Sequence, residues 1–125
     1  LADILRNRGI ESEFADPDFL VLMLTPESES AIDSIVSVFA SISRKEPLKE
    51  RAPAFSKAER VMSVREAMFL PMESVTAENS AGRILAAASV GCPPAVPIVV
   101  SGERIDDATV KCFKYYGIES CTVIK

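Results

Sequence analysis

Gly91-Cys92-Pro93-Pro94-Ala95-Val96-Pro97-Ile98-Val99-Val100-Ser101-Gly102-Glu103 is the stretch on which the fold turns. Its three prolines fall within five positions. Each holds φ near about −65° and removes a backbone donor, so no helix can run through. The residue before each proline is also pushed toward extended geometry. The stretch is therefore expected to be stiff and extended, and to lead into a buried strand at residues 97–100. Gly102 permits a sharp turn, and Glu103 stands directly beyond the apolar run. In α/β folds a short buried strand often carries a working group at its carboxyl end. Glu103 is either such a group or a solvated loop residue before a helix.

C-terminal to this stretch, Asp106 is a good N-cap. Ile105, Ala108, Cys112, Phe113 and Tyr116 form an apolar face. Asp107 near the start, with Lys111 and Lys114 toward the end, matches the helix dipole, and Gly117 stops the helix. Residues 120–124 are β-branched and read as a strand. Strand 97–100, helix 106–116 and strand 120–124 predict a parallel β-α-β unit with a right-handed crossover.

On the N-terminal side, residues 83–90 fit either strand or helix, and the glycines at 82 and 91 favour a strand. Residues 76–82 predict a single helical turn with Thr76 as N-cap and Gly82 at its end. Residues 72–76 predict a short strand. Ser63-Val64-Arg65-Glu66 is a capping box opening a helix through Leu70, which Pro71 ends.

Residues 44–54, with Pro47 and Pro53, read as a linker of alternating charge, and the domain boundary is set at 47–54. Residues 1–46 precede it and 55–125 follow. In the first part Leu1, Ile4 and Leu5 share a helical face, and Gly9 is placed as a cap. Residues 10–14 alternate as a half-buried strand, Asp16-Pro17-Asp18 is a turn, and residues 19–24 form a continuous apolar strand expected to be covered on both faces. Thr25-Pro26-Glu27 starts a helix whose stripe is Ala31, Ile32, Ile35, Val38, Phe39 and Ile42. The fold class is thus α+β: an α-β-β-α half followed by a C-terminal α/β subdomain containing the β-α-β unit. The chain begins at Leu1 inside a helix, so a piece of a longer polypeptide is expected, with a processed N-terminus as the alternative.

Composition narrows the functions. Of 125 residues 48% are hydrophobic and 26% charged, ordinary for a soluble globular protein. A net charge of −4 and no basic cluster argue against nucleic-acid binding. No apolar run approaches the roughly 20 residues a membrane helix needs, and the acidic Asp3 with no apolar core after it predicts that these first residues are not a signal peptide. Cys92, Cys112 and Cys121 are odd in number and lack metal-ligand spacing. They read as free, small buried hydrophobes in a reducing compartment, the cytoplasm. With no histidine, Ser-His and Cys-His pairs and the commonest metal ligand are excluded, so no metal is expected.

Most of the 18 acidic residues are explained by caps and solvated faces. Glu73 and Glu103 flank predicted strands. Arg83 either holds an anionic group or forms a surface ion pair with Glu78 or Glu73. Of Tyr115 and Tyr116, one is expected in the core and the other at an interface. No Gly-rich nucleotide loop is present.

Arg65-Glu66-Ala67-Met68-Phe69, then Gly82-Arg83-Ile84, then Pro93-Pro94 with Pro97, then Gly102-Glu103 occur in an order and spacing that resembles the C-terminal part of the bacterial Orn/Lys/Arg decarboxylases. These are pyridoxal-phosphate enzymes of the aspartate-aminotransferase fold type. Their pattern runs approximately R-E-A-F-F, G-R-I, Y-P-P-G-I-P and P-G-E. The likeness covers about residues 55–105, and residues 1–43 fit the small domain that precedes it in the family. Cys92, Ala95 and Ser101 depart from the pattern's tyrosine, glycine and proline, which leaves the substrate open.

The resemblance implies a parent enzyme that decarboxylates lysine, arginine or ornithine. Its cofactor is held by a large upstream domain, on a lysine that follows a histidine. This chain has no histidine, so it is expected to contain no catalytic residue and to bind no pyridoxal phosphate itself. Its implied contribution is pocket wall and homodimer contact, with Glu103 as the substrate-binding candidate and Arg83 and Glu73 as secondary ones. A stand-alone effector-binding or dimerisation module is the alternative. An independent hydrolase is disfavoured because nothing sets a nucleophile beside a base.

Overall fold

The computed structural model describes residues 1–47, 51–55, 57–87 and 96–125. The Pro93-Pro94 segment, the substituted positions Cys92 and Ala95, and the end of the expected strand 83–90 lie outside them. The chain divides into two compact units, Leu1–Arg51 and Ala52–Lys125.

Leu1–Arg51 has the expected α-β-β-α order. Helix α1 (Ala2–Arg6) is followed by Gly9 at φ 76°, the left-handed conformation for which glycine suits a helix end. Strands β1 (Phe14–Ala15) and β2 (Leu20–Val21) pair antiparallel. Their turn is closed by Asp16, whose Oδ1 accepts from the Asp18 N–H at 2.8 Å and the Phe19 N–H at 2.6 Å.

The expected six-residue strand at 19–24 is a correction: two residues pair, and Phe19 is 67% exposed. Among the described residues of this unit only a two-stranded ribbon forms, so residues 19–24 are not a central strand of a larger sheet. Pro26–Ala31 forms a 3₁₀ turn before helix α2 (Ile32–Ser41). Of the expected stripe, Ile35 and Val38 are buried, whereas Ile32 and Phe39 are exposed.

Ala52–Lys125 holds the larger core. Helix α3 (Val64–Phe69) starts on the capping box. The Glu66 N–H donates to Ser63 Oγ at 3.2 Å, and the Ser63 N–H donates back to Glu66 Oε2 at 2.8 Å. Strand β3 (Met72–Thr76), a 3₁₀ turn (Ala77–Ser80), strand β4 (Leu85–Ala87), helix α4 (Asp107–Tyr115) and strand β5 (Ser120–Ile124) follow. Asp106 caps α4, its Oδ1 accepting from the Thr109 N–H at 2.7 Å and from Thr109 Oγ1 at 2.8 Å.

The sheet order is β3-β5-β4, with β5 antiparallel to both neighbours. Val75 lies opposite Cys121 and Leu85 opposite Val123. These side chains pack with Ala77, Val99, Ile105 and Phe113 of α4 into one cluster. Cys112 and Cys121 are buried free thiols, as small core hydrophobes should be. Helix α3 lies against β4, where Ala67 and Ala86 are fully buried.

The mixed α and β class is as expected; the parallel β-α-β unit is not. Residues 97–100 form no strand, and both ladders of β5 are antiparallel. The apolar run is still inside: Val99 is buried and Ile98 packs on the core. What prevents a ladder is backbone chemistry. Pro97 has no N–H to give. The Val100 N–H donates to Glu103 Oε2 at 2.9 Å, and the Val100 carbonyl accepts from the Glu103 N–H at 3.1 Å. Both polar groups of Val100 are thereby consumed in a local turn. The strand-like pairing comes four residues later, where Glu103 bridges Arg60 and Arg104 bridges Ile84.

Candidate functional site

Glu103 sits in a segment held from both sides. On one side the Gly102 carbonyl accepts from the Val61 N–H at 2.9 Å and the Met62 N–H at 3.1 Å, and the Arg104 N–H donates to the Glu59 carbonyl at 2.9 Å. On the other side the Gly102 N–H donates to the Leu85 carbonyl at 2.8 Å, and the Leu85 N–H donates to the Glu103 carbonyl at 2.9 Å. Residues 102–105 therefore lie between residues 59–62 and the run 82–85 that leads into β4.

Glycine at 102 follows from two facts. Its φ is +88°, and a Cβ there would stand 2.5 Å from the Met62 carbonyl oxygen. A side chain at this point would force the two backbones apart.

Arg104 reinforces the arrangement. Its Nε donates to Glu59 Oε2 at 2.8 Å and its Nη1 to the Gly82 carbonyl at 2.9 Å. The guanidinium thus ties three segments distant in sequence. Nothing in the sequence pattern marks the Arg104–Glu59 pair, whose members are 45 residues apart.

The Glu103 carboxylate is half-buried. Oε2 accepts the Val100 N–H, and Oε1 accepts no hydrogen bond from any described residue. A carboxylate anchored through one oxygen keeps the other for a cationic ligand.

The two secondary candidates meet each other, not Glu103. Arg83 Nη2 donates to Glu73 Oε1 at 2.7 Å and to the Ile124 carbonyl at 2.7 Å. This ties Arg83 to the start of β3 and the end of β5 and realises the ion pair named as Arg83's alternative. The Arg83 side chain beside Glu73 holds its carboxyl below the usual carboxylate range. Glu78, the other partner considered for Arg83, instead pairs with Lys114 Nζ at 2.7 Å.

Neither Tyr115 nor Tyr116 is fully buried in the core; both are half-buried. They meet edge to face at 5.0 Å between centroids, and Phe55 stacks on Tyr116 at 6.2 Å. A shallow groove of about 400 Å³ is lined by Thr76, Ala77, Glu78, Lys114, Gly117, Ile118 and Glu119, and includes none of the three candidates. Among the described residues no group of three or more metal-ligating side chains occurs. No helix among them is long and apolar enough to cross a membrane.

Three comparisons with known proteins bear on this geometry. The profile of the family described as "Orn/Lys/Arg decarboxylase, C-terminal domain" matches residues 47–120, more than half of the chain. No curated protein sequence matches. Among solved structures, the Francisella novicida lysine decarboxylase LdcF aligns at 12% identity and a TM-score of 0.47. The E. coli constitutive lysine decarboxylase aligns at 18% identity and a TM-score of 0.42. Each alignment covers 56% of this chain and 14% of the solved one.

Proposed function

Because the chain belongs to the Orn/Lys/Arg decarboxylase C-terminal domain family, we propose that it serves a parent enzyme that decarboxylates a basic amino acid in the cytoplasm. In this reading residues 1–46 end the small domain of the parent, 47–54 link, and 55–125 form the C-terminal domain. The pocket is completed by an upstream domain of the same polypeptide, within a homodimer.

The parent's cofactor in this reading is pyridoxal phosphate, which takes up the electron pair left when CO₂ departs. The described residues of this chain do not fit it. Every described lysine is exposed, so none sits in the dry pocket that a Schiff-base amine requires. The work assigned to this chain is therefore binding and orientation, not the bond-breaking step.

The observation that carries the proposal is the held Glu103 turn, with one carboxylate oxygen open. Basic amino acids end in a cation, and a carboxylate fixed in a partly dry wall is its natural partner. A hydrogen bond to a charged group contributes about 1.5–3 kcal/mol, roughly tenfold to a hundredfold in affinity.

The test is Glu103→Gln in the full-length protein. Glutamine keeps an oxygen to accept the Val100 N–H, so the turn survives while the charge is lost. KM for the preferred basic amino acid should rise about tenfold or more, with circular dichroism unchanged. An unaltered KM would remove Glu103 from the substrate site.

A further inference from the structure

We infer that the outer edge of β3 pairs with β3 of a second copy of this chain, antiparallel about a two-fold axis at Ser74. This gives the homodimer of the proposed function a contact surface. It depends neither on decarboxylation nor on the role of Glu103.

Strand β3 lies at the edge of the sheet. Its ladder with β5 fixes which backbone groups are left over. The Ala77 N–H donates to the Glu119 carbonyl and the Lys125 N–H to the Pro71 carbonyl, each at 2.9 Å. In the same unbroken register Met72 faces Ile124, Ser74 faces Thr122 and Thr76 faces Ser120. Hydrogen-bonded and non-hydrogen-bonded pairs alternate along an antiparallel ladder. The bonded positions are therefore the odd-numbered ones, and the backbone polar groups of Met72, Ser74 and Thr76 point away from β5. All three residues are exposed, and no described residue hydrogen-bonds to Met72 or Ser74 on that side. Natural edges are guarded by Lys, Pro or a bulge. Met72–Thr76 has none of these, and its single charge, Glu73, is matched by Arg83.

Charge selects the register. With the axis at Ser74, Ser74 faces itself, Met72 faces Thr76 of the second copy, and Glu73 faces Val75. An axis at Glu73 would set two carboxylates directly opposite each other, which is destabilising. An axis at Val75 would push Met72 past the end of the other strand. Only the Ser74 register pairs all three open positions.

The flanks of β3 match in this register. The backbone stays extended back to Leu70, at φ −84° and ψ 155°. Leu70 and Phe69 of one copy are carried alongside Ala77 and Glu78 of the other, where the groove of about 400 Å³ begins. Phe69 is the most exposed of the large apolar side chains described, at 81%. Arg65 stacks over its ring at 6.0 Å, and Glu78 and Glu119 line the groove, so charge complements shape. The two-fold axis makes this contact twice. Phe69 with exposed Met68, Leu70 and Met72 offers on the order of 400 Å² of apolar surface per copy, and with the strand edges the total nears the roughly 1,000 Å² that a specific interface needs.

The experiment uses the purified full-length protein carrying Cys92→Ser. Under mild oxidation Ser74→Cys should form a disulfide between its two copies, identified by mass spectrometry of the linked peptides, because facing residues in a bonded pair lie about 5.5 Å apart at Cα. Thr76→Cys is the control on the same face. Its two copies stand about 14 Å apart along the strands, so its yield should be about tenfold lower. No linked peptide for Ser74→Cys, or equal yields at both positions, would overturn the inference. Hydrogen exchange at the Met72 and Thr76 amides gives a reading without cysteine. Ser74→Lys sets two ammoniums at the axis, leaves the β5 ladder intact, and should speed that exchange about tenfold. Equal exchange rates in wild type and Ser74→Lys would overturn pairing between copies, and slow exchange in both would assign the edge to another segment of the parent. The KM of Glu103→Gln tests the substrate reading separately, so each can fail without the other.

Discussion

Replacing Gly102 by alanine should destabilise Ala52–Lys125 more than the same change at Gly82, and the difference measures how tightly the Glu103 turn is held. Both glycines have positive φ, +88° at 102 and +78° at 82. A left-handed conformation costs a non-glycine residue about 1–2 kcal/mol, so both variants bear that penalty. Around Gly82 a Cβ would meet nothing within 4 Å. At Gly102 it would stand 2.5 Å from the Met62 carbonyl oxygen and 3.2 Å from the Ser63 carbonyl oxygen, both backbone atoms. Forcing extra atoms into such a close contact costs roughly 1–3 kcal/mol more. Gly102→Ala should therefore lose about 2–5 kcal/mol in total, against about 1–2 kcal/mol for Gly82→Ala. The chain has no tryptophan and two tyrosines, Tyr115 and Tyr116, so tyrosine fluorescence in urea reports on this unit alone. The midpoint should fall for both variants with m unchanged, and further for Gly102→Ala. Equal losses at the two positions would refute the close approach of residues 61–63 to the turn.

Two further outcomes follow from charge and burial. Arg83 depresses the Glu73 pKa in the folded chain, so unfolding takes up protons as the pH drops through and below the usual carboxylate range. Stability from the pair is present above that range and lost as pH falls through the depressed value; the urea midpoint of Glu73→Gln should decline less on acidification than that of the wild type, and parallel declines would contradict the pairing. Burial raises the Cys112 and Cys121 thiols above their ordinary pKa, so in a Cys92→Ser background an aromatic disulfide reagent should label neither until urea unfolds the chain; prompt labelling at neutral pH would show the core open.

What was legible in the sequence is what local chemistry decides. Ser63 and Glu66 are three positions apart, and their reciprocal hydrogen bonds need nothing else, so the start of α3 could be read directly. The same holds for Asp106 at α4 and for Asp16 in the first hairpin turn. Strand β5 was readable from β-branched content and a short strand was expected at β3, yet their antiparallel pairing was not. That pairing depends on which strand lies between the others, and β5, last in the chain, takes the centre. Residues 97–100 show the limit of a hydrophobic run as a signal. It marked burial correctly at Val99, but burial does not choose between a strand and a bent segment. That choice was made by the Glu103 side chain turning back onto Val100, a contact no periodicity records.

The candidate site was legible to a similar depth. Gly102-Glu103 could be marked from the glycine and from the carboxylate beyond an apolar run, but the expected geometry, a free acid at a strand end, differs from the one formed. Glu103 lies within the paired segment, and half of its carboxylate has structural work. Arg83 and Glu73, marked separately, neutralise each other and brace the ends of β3 and β5. The pair spans 10 residues and could be named as an option from charge alone, whereas the Arg104–Glu59 clamp required the fold to bring residues 59 and 104 together. A carboxylate braced in this way loses freedom and gains direction. Side-chain entropy that a mobile glutamate would surrender on binding a cation is already spent in folding, which favours affinity.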